Sequence, residues 1–252
     1  MKWQSELELA HTAAQRAGEL LLNLSKEPLE VLSTAGRDLK LGADRQSEKL
    51  ILQILREGSS YPILSEETGA HGAFDDRAPF WIVDPLDGTL NFGRGLPLSC
   101  ISIALWQEAQ PILGVVYDFN HGESFSGLVG EGAWLNQDPI AVSQVSRPQD
   151  AILATGFPVN RDFASESLKK FLAQVQAFKK IRLLGSAALS LAYLACGRVD
   201  AYSEEDIMFW DVAAGIALVQ AAGGWVSSVA SERKNWARTV ACAARRSIFE
   251  TG

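Results

Sequence analysis

Residues 81–92 read Trp-Ile-Val-Asp-Pro-Leu-Asp-Gly-Thr-Leu-Asn-Phe, an apolar run that stops abruptly in Asp84, Pro85, Leu86, Asp87, Gly88 and Thr89. Two carboxylates and a hydroxyl therefore crowd one strand end. Phe80, Trp81, Ile82 and Val83 have the pattern of a buried strand, and an unpaired anion just past such a strand is costly, so the two acids call for a compensating cation. Asp84 and Asp87 are read as metal ligands. Gly88 and Thr89 add backbone N–H groups at the start of a helix-compatible segment, a place that favours a phosphate. Cation ligands beside an anion cradle suggest metal-assisted phosphate chemistry. Taken alone, the hexapeptide also fits an ordinary Asp-Gly turn in which Asp87 caps the next helix, so acids elsewhere must decide.

Further acids stand at other element ends. The apolar residues 61–65 form a short strand that runs into Glu66 and Glu67, although an isolated Glu-Glu is more often a solvated loop. Asp211 follows Trp210 at the head of a helix whose Val212, Ala213, Ala214, Ile216, Ala217 and Val219 are apolar nearly all round. Asp44 lies just before a helix that carries Leu50, Ile51, Ile54 and Leu55 on one face. Both aspartates also fit plain N-caps, and capping is compatible with catalysis. Residues 200–206 hold Asp200, Glu204, Glu205 and Asp206, a density of charge that usually marks a solvated face.

The elements that must bring these acids together follow from periodicity. Leucine and alanine recur at helical spacing over residues 3–25, and a second helix follows Asp44. Strand signals at 61–65, 80–84, 98–106, 112–119 and 124–129, separated by turn residues, predict an antiparallel sheet. Beyond about residue 150 the pattern alternates: strand 151–156, helix 163–178, strand 181–184, helix 187–196, strand 199–203, helix 211–222, then strands near 224–228 and 239–244. The acids converge only if the two halves share a face, so a cleft between 1–150 and 151–252 is the expected site.

Composition sets the class. At 252 residues and 47% hydrophobic, the chain can bury a large core as one domain or two closely packed halves. Glu6, Glu8 and Glu19 interrupt the N-terminal 25 residues, which argues against a secretory leader, and no stretch has the 18 or so apolar residues of a membrane span. A cytoplasmic protein without a membrane partner is expected. Cys100, Cys196 and Cys242 lack Cys-x-x-Cys spacing and read as buried reduced thiols. A formal charge of −7 argues against nucleic acid, yet it suits a carboxylate cluster that divalent cations neutralise.

Together, residues 63–68, 81–92 and 185–215 resemble the three signature regions of the inositol monophosphatase family, and the likeness covers most of the chain. Further similarity lies in 102–105 with 114–117, and in Gly185, Ser186, Ala187 and Ala188 before a helix ending at Gly197. The resemblance implies a single α/β domain with an αβαβα five-layered sandwich, often a homodimer. It also implies Mg²⁺-dependent hydrolysis of small phosphomonoesters and frequent inhibition by Li⁺. Carried over, Glu66, Asp84 and the carbonyl of Leu86 match ligands of a first ion; Asp84, Asp87 and Asp211 match those of a second. A third, weaker ion would lie near Glu66. Thr89 and Asp44, with Glu66 nearby, match the groups that orient and deprotonate the attacking water, and Gly88 with Thr89 match the phosphate turn. Glu204, Ala187 and the Gly185–Ser186 backbone match contacts to the substrate alcohol.

The residue chemistry agrees without the family. Every proposed ligand is an oxygen, and His11, His71, His121 and the cysteines stand outside these motifs, so Mg²⁺ or Mn²⁺ fits better than zinc. Shared carboxylates permit two ions about 3.5–4 Å apart. The expected substrate is a phosphorylated polyol or sugar, with inositol monophosphate first. A 3′(2′),5′-bisphosphate nucleotidase or a fructose-1,6-bisphosphatase is the same-fold rival, and Leu90, Asn91 and Phe92 after the Gly-Thr favour the monophosphatase branch. A non-catalytic regulatory protein is the rival from another class.

Three departures from the family pattern stand out. Near Ser33 there is no obvious counterpart of the family's upstream Lys, and Leu41 occupies the place of its Thr, which puts the third ion in question. Asp206 replaces a frequent Gly before Ile207, an extra acid expected to disfavour a second phosphate beside the alcohol pocket. Ala243 and Ala244 stand where the family commonly has an Asn after the final strand, a change from which nothing further follows.

Overall fold

In the computed structural model, residues 2–27, 29–35, 38–75, 77–156 and 165–250 are described. Alanine and leucine at helical spacing give α1 (Gln4–Leu24) one apolar face, and Leu7, Ala10, Ala13, Ala14, Ala17 and Leu21 on it are buried. That face packs beside α2 (Gly42–Gly58), whose Ile51, Leu52 and Leu55 share the same core. Between the two helices β1 (Val31–Ala35) and β2 (Asp38–Leu41) form a hairpin, and Leu41 turns its side chain into the helix core.

Both helices lie on an eight-stranded sheet. Its strands are β3 (Ile63–Ser65), β4 (Gly69–His71), β5 (Phe80–Asp87), β6 (Cys100–Gln107), β7 (Gln110–Asp118), β8 (Glu123–Leu128), β9 (Gly132–Leu135) and β10 (Asp138–Ile140), with α3 (Thr89–Gly93) between β5 and β6. The spatial order is β10-β9-β8-β7-β6-β5-β3-β4. The sheet is antiparallel except at one seam: β3 and β5 run parallel, because β4 intervenes in the chain and takes the outer edge. That exception to the expected antiparallel arrangement makes the carboxyl ends of β3 and β5 neighbours.

Both faces of this sheet are covered, so its central strands read as continuous apolar runs. On β6, Ile101, Ile103 and Leu105 point to the α1–α2 side, while Cys100, Ala104 and Trp106 point the other way. That second face meets α5 (Ala187–Ala195) and α6 (Phe209–Ala221), which are apolar nearly all round because they lie between two sheets. The approach is close: a Cβ on Gly114 of β7 would come within 2.3 Å of the Ala214 carbonyl oxygen.

The second sheet comprises β11 (Ile152–Thr155), β12 (Lys180–Arg182), β13 (Ala201–Met208), β14 (Trp225–Ala230) and β15 (Ala237–Ala243), ordered β12-β11-β13-β15-β14. On its far side α4 (Ser165–Ala177) reaches β13 through Gln174, whose amide donates to Ser203 Oγ at 3.5 Å. The layers are thus helix, sheet, helix, sheet, helix. The expected helix start at residues 163–164 lies outside the described residues. Leu183 and Leu184 leave the strand expected over 181–184, and the acidic stretch read as a solvated face is the middle of β13. The helix expected from Asp211 begins two residues earlier, at Phe209.

Candidate active site

The apolar run of β5 delivers Asp84 to the parallel seam. Between the pairs Asp84↔Ser102 and Asp87↔Cys100, β5 advances three residues while β6 advances two, which is a bulge. Pro85 suits it, since a proline has no N–H to give to a ladder. The Leu86 N–H turns back to Asp84 Oδ1 at 3.0 Å, and the Pro85 carbonyl accepts Ser47 Oγ–H at 2.7 Å from α2. These bonds hold the bulge rigid. Beside it the Glu66 N–H donates to the Val83 carbonyl at 3.2 Å, which continues the β3–β5 pairing and fixes where Glu66 leaves the strand.

Asp211 arrives from the first turn of α6, and Ser102 Oγ–H donates to the Trp210 carbonyl at 3.2 Å to tie that turn to β6. One carboxylate oxygen from each of Glu66, Asp84 and Asp211 then lies within 4.8 Å of the others. Asp84 is 1% exposed, while Glu66 and Asp211 are half-buried at the cleft. Burial first, then the charges of Glu66, Asp87 and Asp211, hold the Asp84 carboxyl far above the usual carboxylate range. Burial, then Glu66, Asp87 and Glu204, does the same to Asp211. Two like charges about 4 Å apart cost about 4 kcal/mol at an effective dielectric near 20, so the cluster is stable in ionised form only around a cation. Three oxygen donors at that spacing fit a hard divalent ion.

Asp87 stands outside this triple. Its Oδ2 accepts Ser186 Oγ–H at 2.6 Å and the Ala188 N–H at 2.7 Å, with the Cys100 thiol at 3.8 Å. Burial pushes its pKa up to about 6, against the opposing pull of the Ser186 hydroxyl and the N–H groups of Ala188 and Ala187. The start of α5, which the resemblance assigns to contacts with the substrate alcohol, grips this carboxylate. Ser186 also caps α5 by accepting the Leu189 N–H at 3.2 Å.

Gly88 has a left-handed φ of 86°, and a Cβ there would lie 2.7 Å from the Leu98 carbonyl oxygen. Only glycine makes this turn into α3 without strain. The Thr89 hydroxyl lies 2.8 Å from Asp44 Oδ1 and 3.0 Å from the Leu86 carbonyl oxygen. Asp44 is not the residue before α2 but the third residue in it, and its Oδ2 receives the Leu41 N–H at 3.0 Å. It is therefore a helix cap and a partner of Thr89 at once. Burial pushes its pKa up to about 6, partly offset by the bonds from Thr89 and Leu41.

Glu204 is buried on β13 and accepts the Tyr202 hydroxyl at 2.8 Å; a Cβ on Gly156 would fall 2.6 Å from Glu204 Oε2. Its charge reaches Asp211. Asp206 differs from its expected role: at a β13 irregularity, with φ 55°, it accepts Ser231 Oγ–H at 2.5 Å and pairs with Arg233 at 3.3 Å. Its charge is thus partly offset by Arg233 instead of standing alone beside the pocket.

Asn91 is a positioning residue that the sequence reading used only to separate family branches. Its amide donates to the carbonyls of Leu98 at 2.8 Å and Leu184 at 2.9 Å, which joins the phosphate turn to the loop before α5. Gly185 has a φ of 71° beside that amide. An asparagine within the first residues of so short a helix is a local signal for such a tie.

A family model, the inositol monophosphatase family, matches residues 2–251. Among curated relatives, a Nus factor SuhB of Xylella fastidiosa is 42% identical over 85% of this chain and 78% of its own length. An inositol-1-monophosphatase of Synechocystis is 40% identical over 89% of this chain and 79% of its own. Among solved structures, an inositol monophosphatase from Anabaena superposes with a TM-score of 0.83 at 36% identity, covering 96% of this chain and 91% of that one. The extragenic suppressor protein suhB from Bartonella henselae gives 0.84 at 33% identity, covering 93% and 92%. The chain belongs to the inositol monophosphatase family of phosphomonoester hydrolases.

Proposed function

We propose that the chain hydrolyses a small phosphorylated polyol or sugar, inositol monophosphate first among them, with Mg²⁺ as the working cation. The observation that carries this reading is the convergence of Glu66, Asp84 and Asp211 within 4.8 Å beside the Gly88–Thr89 turn. Glu66, Asp84 and the Leu86 carbonyl would hold one ion; Asp84, Asp211 and Asp87 Oδ1 would hold a second, with a third near Glu66 as a weaker site. When bound, divalent ions supply positive charge that acidifies a water and offsets the leaving alkoxide.

The chain's own residues do the rest. N–H groups of Gly88 and Thr89, left without intrahelical partners at the start of α3, orient the phosphate. Thr89 positions the attacking water, and its hydroxyl passes the proton to Asp44, whose raised pKa suits a base near neutrality. Ser186, Ala187 and Ala188 fix Asp87, and so act on the ion. The alcohol meets Glu204 and the Gly185 backbone on the β13 side of the cleft.

Phosphate release from inositol monophosphate, 3′-phosphoadenosine 5′-phosphate and fructose 1,6-bisphosphate, each with Mg²⁺ or Mn²⁺ and with Li⁺ added, tests substrate and cation together. The reading predicts the highest kcat/KM on the monophosphate and inhibition by Li⁺; preference for either bisphosphate overturns the substrate assignment. The names of the SuhB relatives favour a second, regulatory reading for the same surface. No turnover on any of the three, together with a stable partner in a pull-down, would favour that one. The proposed acting unit is a cytoplasmic homodimer that needs neither nucleic acid nor membrane. Exposed Leu168, Leu172 and Val175 on one side of α4, with Leu183 beyond it, support the dimer, and light scattering of Leu172→Glu tests it. Among the described residues no helix is long and apolar enough to cross a membrane.

A further inference from the structure

Away from the catalytic cleft, a cavity of about 400 Å³ opens between the β6–β7 turn, the outer part of α6 and the β14–β15 pair. Its charged group is Arg238. The guanidinium carbon lies 4.7 Å from the ring centre of Phe209 and 5.9 Å from that of Trp106, so the cation is stacked on aromatic faces. Arg238 Nε–H donates to Ser228 Oγ at 2.7 Å and Nη2–H to the Ser228 carbonyl at 3.2 Å. Among the described residues no carboxylate forms an ion pair with it. Burial alone lowers its pKa.

A half-buried guanidinium without a counter-anion is unusual, since buried charges are ordinarily paired. The two bonds to Ser228 use the Nε–Nη2 edge. The other edge, Nη1 with the second Nη2 hydrogen, offers two parallel N–H groups, the geometry that binds a carboxylate bidentately. Around it the lining supplies Trp225 and Pro111 as flat apolar walls and the amides of Gln110 and Gln220 as further polar contacts. The volume lies within the range of small-molecule sites.

We propose that this cavity is a second ligand site that takes a small aromatic carboxylate. The carboxylate pairs with the free edge of Arg238 and the ring lies against Trp225 and Pro111. A single positive charge suits a monoanion better than a phosphate dianion. The site also touches the helix that carries Asp211, through Ile216 and Gln220, and Arg238 stacks on Phe209 of the same helix.

Benzoate and its neutral isostere benzamide are the probes, followed by isothermal titration and by the quenching of tryptophan fluorescence. Benzoate is expected to bind saturably and benzamide at least tenfold more weakly. Arg238→Gln is expected to abolish the difference. Because that variant also loses the stacking, Gln110→Trp, which fills the mouth without touching Arg238, is the second arm: it keeps the wild-type turnover and Tm while losing benzoate. Asp84→Asn should bind benzoate as wild type does, which places the binding outside the catalytic cleft. Equal binding of benzoate and benzamide, undiminished benzoate binding in Gln110→Trp, or loss of benzoate in Asp84→Asn overturns the proposal.

Discussion

Asp84→Asn separates two consequences of the carboxylate cluster that have opposite signs. Asparagine keeps the size of the side chain and an oxygen for the Leu86 N–H, but it removes the charge between Glu66 and Asp211. Without a cation, each like-charge contact at about 4 Å costs about 4 kcal/mol at an effective dielectric near 20. Wild type relieves this by keeping Asp84 protonated, which for a carboxyl of ordinary pKa near 3.9 costs at most about 5 kcal/mol around pH 7.5. The variant escapes both costs. In EDTA it should therefore be more stable than wild type by about 2–5 kcal/mol, a rise in Tm of roughly 4–20 °C at the 2–4 °C per kcal/mol typical of this size. In Mg²⁺ at a hundred times Kd the gap closes: wild type gains about 2.7 kcal/mol, while the variant gains little. Turnover falls at least about a thousandfold, the loss of about 4 kcal/mol of transition-state stabilisation. Differential scanning calorimetry in EDTA and in Mg²⁺, beside phosphate release, measures all three. A variant less stable than wild type in EDTA, with an undiminished Mg²⁺ shift, would refute the view that these acids form a cation site.

Other perturbations test the surrounding supports. If Asp44 is the base, the ionised form that accepts the proton exists above its pKa of about 6, so kcat/KM should rise with pH through that value. Asp44→Asn should lose this acid limb as well as rate, and a limb that persists unmoved would assign it to another group. Gly88→Ala forces a Cβ to 2.7 Å from the Leu98 carbonyl oxygen at a left-handed φ, costing about 2 kcal/mol or more and lowering Tm by about 4–8 °C. Ser186→Ala removes both the α5 cap and one grip on Asp87; stability should fall by about 1 kcal/mol and Mg²⁺ affinity by about 10–100-fold, read by calorimetric titration. Burial lowers the pKa of His11, which lies 3.1 Å from Ser124 Oγ, so the folded state favours the neutral ring. Its contribution is complete above about pH 6.5 and fades as pH falls through the depressed value. His11→Gln should therefore flatten the acid side of a Tm-against-pH curve.

Residues whose meaning lies in a break of pattern were legible from the chain alone. Asp84 breaks the apolar run of β5, Glu66 follows directly on β3, and Asp211 stands in the first turn of a helix with no polar face; each is conspicuous because its neighbours are buried. The stacking into five alternating layers was what the family resemblance implied, whereas the succession of helices and strands along the chain followed from periodicity. The parallel β3–β5 seam did not, because it depends on β4 claiming the sheet edge, a choice between pairings that local spacing does not encode. Glu204, Glu205 and Asp206 hid a strand for a related reason. Charged residues are poor strand formers, and what carries β13 through them is pairing with β15 at Glu204 and again at Ile207, together with the Tyr202 hydroxyl that accompanies Glu204 into the interior.

Asp87 shows where local reading reaches its limit. Its position three residues after Asp84 gives both aspartates the same standing, and a cap or a metal ligand were equally good readings of it. What distinguishes them is Ser186, 99 residues away, together with the start of α5. A helix N-terminus aimed at a carboxylate does what a cation would do, more weakly and permanently. Asp84 and Asp211 face the charges of Glu66, Asp87 and each other, and a single N–H from Leu86 on Asp84 and the first turn of α6 at Asp211 leave that repulsion standing, so the cation they need must come from outside the chain. The division of labour inside one hexapeptide is therefore set by which of its two acids the second half of the protein has already neutralised.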